Sequence, residues 1–155
     1  MFQPAPAHNV VAAVFNSHLQ AEECVERLRL AGFDQAKLSL AARSASVDDD
    51  LAQKFWDVIR ESLPGWAVIT LPRIGTVVVA GPLGGWIMAA VRNQVLFGGF
   101  SALGASLYAL GIPKGAVERC ESAVEAGNFL VIAHGAAGEL GTARELLAAW
   151  ALKME

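Results

Sequence analysis

Apolar residues recur along this chain in two rhythms. Short unbroken runs, each the length of a buried strand, alternate with stretches in which apolar positions return every three or four residues. Residues 9–15 (Asn-Val-Val-Ala-Ala-Val-Phe) are rich in β-branched side chains and predict a buried strand. Asn16 and Ser17 follow as N-caps, and Ser17 with Gln20 has the spacing of a capping box. Ala21, Cys24, Val25, Leu28 and Ala31 share one helical face, and Gly32 is the expected stop. Residues 37–42 predict a second strand, and residues 43–47 a polar connection. Asp48, Asp49 and Asp50 then open a helix with Leu51, Phe55, Val58 and Ile59 on one stripe. Acids suit the positive end of a helix dipole, so capping explains the triple Asp better than a metal does. Pro64 and Gly65 end that helix. Residues 66–71 (Trp-Ala-Val-Ile-Thr-Leu) read equally as a short strand or an apolar loop.

Residues 74–80 (Ile-Gly-Thr-Val-Val-Val-Ala) are the best strand candidate, and Gly81-Pro82 suits a turn into a helix over 82–92. A second apolar helix is expected over about 96–110, stopped by Gly111. Pro113 opens the next, over about 113–126, with Val117, Cys120 and Val124 inward. After Gly127, residues 129–133 predict a strand. Leu140, Ala143, Leu146, Leu147, Trp150 and Met154 define a final amphipathic helix.

The whole is 155 residues, expected to form a single domain. Its 54% hydrophobic and 17% charged residues exclude a disordered chain. A net charge of −3 and a pI near 5.6 argue against a nucleic-acid-binding surface. Two cysteines, Cys24 and Cys120, cannot build a disulfide framework and have no zinc-ligand spacing. The first nine residues lack a basic region and an apolar core, so a cytoplasmic, reducing setting is expected.

The centre of the chain is anomalous. Between Arg73 and Lys114 there is one charge, Arg92, flanked by uncharged runs of 18 and 21 residues. By length each run approaches a membrane span. Gly81-Pro82, however, leaves a first helix of only about 10 residues, or about 15 Å, half a hydrocarbon core. Small residues recur every four positions: Gly81, Gly85 and Ala89; Gly98, Ala102 and Ser106; Ser101, Ala105 and Ala109. That spacing lets backbones approach closely. The expected contact surface is therefore Gly81, Gly85, Trp86, Ala89, Ala102, Ala105 and Ala109, meeting a second copy of the chain. Lipid is the next choice of partner, and enclosure within one protomer the last.

The order strand, helix, strand, insert, strand, hairpin, helix, strand, helix reduces to βαββαβ once the inserts are removed. This is the antiparallel ferredoxin-like sheet, an α+β arrangement. Its core would occupy about 9–43, 74–81 and 113–150, with inserts at about 44–72 and 82–112 and an extra C-terminal helix. The opening Val-Val-Ala-Ala-Val-Phe-Asn-Ser, Ala21-Glu22 and Leu28-Arg29-Leu30-Ala31-Gly32-Phe33 resemble the bacterial heat-induced general stress protein domain. Gly75, the Val77–Val79 run, Ala80-Gly81-Pro82-Leu83, Gly111-Ile112-Pro113, Gly127 and Leu130-Val131-Ile132 are similar too. The resemblance spans about 9–149. It implies a ferredoxin-like core with a glycine-rich helical hairpin, and carries over no catalytic residue. The acidic helix at about 48–62 is longer than that family leads one to expect.

Candidate chemistry is sparse. In a ferredoxin-like sheet His134, ending the last strand, would lie near His8, preceding the first, but no third metal ligand is evident. His18 is expected at the surface of a first helical turn. Gly135, Gly138 and Gly141 have the spacing GxxGxxG, unlike a dinucleotide or phosphate loop. No GxSxG or Cys/His pair suggests a nucleophile, and the four tryptophans suit core and interface packing. The reading is a non-enzymatic, self-associating module, stress-associated or otherwise uncharacterised, with no cofactor, metal or nucleic-acid partner. Its alternatives are a membrane-associated protein whose hairpin 82–112 enters lipid, and a small-ligand binder or enzyme.

Overall fold

The computed structural model describes residues 10–44, 49–92, 101–135 and 138–148. Strand β1 (Val10–Phe15) leads through helix α1 (His18–Leu30) and a 3-10 turn to β2 (Leu38–Arg43). Helix α2 (Asp49–Ser62), the hairpin β3 (Trp66–Leu71) and β4 (Gly75–Ala80), and helices α3 (Leu83–Arg92), α4 (Ala102–Ala109) and α5 (Lys114–Glu125) follow. Strand β5 (Phe129–His134) and helix α6 (Gly141–Leu147) end the described chain. Trp66–Leu71 is thus a strand, and the helices after Pro82 and Pro113 begin as their prolines predict. His8, Gly98, Trp150 and Met154 lie outside the described residues, as do the three Asp side chains.

The five strands form one antiparallel sheet in the order β1-β5-β2-β4-β3. The α+β class expected from the sequence is what forms. The first and last strands are antiparallel neighbours, with Val10 opposite His134 and Phe15 opposite Phe129. The order departs from a ferredoxin-like sheet, in which the first strand is internal: here β1 lies at one edge and β3 at the other. Layering departs from it as well. Helices α1, α2 and α6 pack with Val11, Ala13, Phe15, Leu40 and Val131 on one face, whereas α3, α4 and α5 pack with Val10, Ala12, Val79 and Ile132 on the opposite face. Strands covered on both sides are apolar at successive positions, which is why β1 and β5 read as unbroken runs.

Local chemistry supports each element. Ser17 caps α1, accepting from the Leu19 N–H at 3.2 Å, one residue short of the capping-box bond. On α2, Phe55 and Ile59 are buried, and Phe55 meets Phe129 edge to face at 5.5 Å between centroids. Leu28, Leu38, Leu40, Ile59, Leu83, Ile87 and Leu107 are fully buried. Each such side chain is worth roughly 1.5–3 kcal/mol of transfer free energy.

Candidate interaction surface

Helix α3 leaves the sheet at Gly81, whose φ of +94° suits glycine. A Cβ there would lie 2.3 Å from the Leu38 carbonyl oxygen and 2.8 Å from the Ser39 Cα. This close approach puts the first turn of α3 against β2, where buried Ser39 Oγ accepts from the Leu83 N–H at 3.1 Å. Ser39 thereby caps the helix from another strand, a role that its place in an alternating run did not announce. One turn on, a Cβ at Gly84 would meet Ala67 Cβ of β3 at 3.0 Å, so α3 rests closely on β3 and β4.

From that contact Leu83 and Ile87 point into the core, while Gly85 has nothing within 4 Å of its Cβ position. Met88 and Val91, one and two turns beyond Gly84, are 42% and 50% exposed. Trp86 is 38% exposed and sits 5.0 Å from the His134 ring. Beyond the helix, β3 shows Trp66 and Val68 to solvent, Val68 at 57%. Trp66 is held edge to face by Trp56 at 5.5 Å and covered by Arg60 at 4.8 Å. Apolar groups are therefore exposed along α3 and on β3.

The expected contact residues divide. Gly85 and Trp86 on α3 and Ala109 on α4 are exposed, and Ala89 is half-buried. Gly81, Ala102 and Ala105 are buried inside the protomer. Every residue from Ala102 to Leu107 is buried, because α4 packs on α3 and α5 and Leu103 and Leu107 reach the core of the sheet's second face. The small residues of α4 thus serve packing within the chain. Ser101 caps α4 through the Gly104 N–H at 3.3 Å, and Glu121 of α5 accepts from both the N–H and the hydroxyl of Ser101. Local spacing does not mark Val68, Met88 and Val91 as surface. The available signal was the absence of charge from residues 62–72 and 74–91.

Titratable groups are few here. Burial and the nearby Lys37 ammonium hold His134 below the ordinary imidazole range, with Glu139 acting the other way. Its Nε2 is buried without a hydrogen-bond partner. Lys37 pairs with Glu139. His18 packs edge to face on Phe55 at 5.7 Å instead of standing free at the surface. Burial pushes the thiols of Cys24 and Cys120 up to about 12, which suppresses thiolate chemistry. Among the described residues no three His, Cys, Asp or Glu side chains are placed to hold a metal. Among the same residues no helix is long and apolar enough to cross a membrane. Compared with protein-family models, curated proteins and solved structures, the chain matches none of them.

Proposed function

We propose that this protein is a non-enzymatic, self-associating module whose exposed apolar surface on α3 and β3 is covered by a second copy of the chain. One observation carries the reading: Trp86, Met88 and Val91 of a single ten-residue helix are all well exposed, beside an open Gly85. Met88 and Val91 lie on the flank of the helix that faces β3 and Trp86 on the other, and large apolar side chains left this exposed on a small protein mark a contact site. The buried small residues of α4 narrow the contact to α3 and β3. Stress association rests on the resemblance of residues 9–33 and 75–132 to the heat-induced general stress proteins. In fold, β1 and β2 are parallel with β5 between them, and β4 and β5 are parallel with β2 between them. Such interlocked split units are shared with the ferredoxin-like arrangement, although the strand order and the placing of helices on both faces differ from it. Free Cys24 and Cys120, buried on opposite faces of the sheet, fit a reducing cytoplasmic setting.

Co-expression of the chain with two different affinity tags tests self-association. Purification through one tag is expected to recover the other in detergent-free buffer; recovery of a single tag overturns the reading. A second reading is favoured by the same helix: Trp86, Met88 and Val91, ending at Arg92, resemble a helix lying in a lipid interface. Flotation of the chain with phosphatidylglycerol vesicles, together with recovery of only one tag, would favour that reading.

A further inference from the structure

We infer that β3 is a self-complementary pairing edge, at which two copies join their sheets antiparallel about Val68. This rests on the self-association proposed above and specifies where it occurs. Among the described residues, strand β3 pairs only with β4. Just before the strand, the Gly81 N–H donates to the Gly65 carbonyl at 3.2 Å, in the register that continues as Trp66 opposite Ala80. Opposed residues of an antiparallel pair alternate between bonded and non-bonded. Ala67, Ile69 and Leu71 therefore spend their backbone groups on β4, while Trp66, Val68 and Thr70 turn theirs to the open side. The 3.3 Å approach of the Thr70 and Thr76 hydroxyls agrees, because side chains come closest at non-bonded pairs.

Three N–H and three C=O groups thus line the edge symmetrically about Val68. Set antiparallel with Val68 opposite Val68, Trp66 of each copy faces Thr70 of the other. Three residue pairs then exchange two bonds each, leaving no outward group unmet. Natural edges are guarded by charge, proline or bulges. Within the six residues of β3 there are none, and residues 62–72 carry no charge that would meet itself across a two-fold axis. Pro64 and Pro72 confine the pairing to this segment. On one face the joint would cover Trp66 and Val68, and on the other the Met88 and Val91 stripe that starts over Ala67. A neutral edge that matches itself selects a second copy over a charged peptide.

Two substitutions of the full chain test the assignment. Val68→Lys puts two ammonium groups at the axis. Val68→Pro removes an N–H that the β3–β4 ladder does not use, so the hairpin keeps its bonds. Light scattering of the unaltered chain is expected to give twice the 16.3 kDa chain mass, and each variant half of that, with unchanged circular dichroism. Val68→Thr should remain a dimer. If the proline variant fails to fold, the exposed lysine decides. A dimer that survives Val68→Lys and is split by Gly85→Leu overturns the edge and keeps self-association through α3. An unaltered chain that is monomeric overturns both.

Discussion

An added methyl at Gly81 would strike the Leu38 carbonyl oxygen in a backbone conformation that L residues avoid, whereas one at Gly85 meets open space. The two glycines look alike in sequence, four residues apart, and the expectation drawn from spacing treats them as one stripe. Gly81→Ala should cost about 3 kcal/mol, from the positive φ and the overpacked contact together. Gly85→Ala should leave stability unchanged or raise it by about 0.5–1 kcal/mol, by replacing a helical glycine. Urea denaturation of both variants checks the contrast. At His134 the same scale gives a pH effect. Its proton affinity is lower in the folded chain than in the unfolded one. The stability it allows is complete above the unfolded value of about 6.5 and declines as pH falls through the lower folded value. Thermal melts should drop on acidification across that window, and His134→Gln should flatten this part of the profile. A steeper acid loss in the variant would contradict the assignment.

Elements were legible where one segment settles its own structure. The β-branched runs form β1, β4 and β5, and the proline, serine and glycine signals mark the starts of α1, α3 and α5 and the stops of α1 and α5. Trp66–Leu71 was ambiguous because a short apolar run has no period of its own; pairing with β4 decides it. Helix α4 was legible in part. Its apolar composition was plain, yet its burial depends on α3, α5 and the sheet, which local spacing does not encode. The Ser101–Glu121 contact that ties α4 to α5 spans 20 residues, and was likewise invisible. Ser101→Ala removes both the cap and the hydroxyl donor. We expect it to lower stability by about 1–2 kcal/mol in urea titration, with the backbone N–H still bound to Glu121. No measurable loss would mean that the cap contributes nothing in solution.

For the molecule as a whole, class and element order could be read, but strand order could not. Antiparallel pairing of first with last strand fits several sheets, and only contacts far apart in sequence place β5 between β1 and β2. Helices on both faces explain how a chain of 155 residues accommodates 54% hydrophobic residues. Among the described residues, most of the uncharged centre is buried inside the protomer. Apolar side chains on α3 stay exposed, and outside the centre so does the edge of β3. The proposed contact rests on these. The most direct test is sedimentation equilibrium of the full chain in detergent-free buffer. A mass of at least two chains of 16.3 kDa is expected; a single-chain mass across the accessible concentration range overturns self-association.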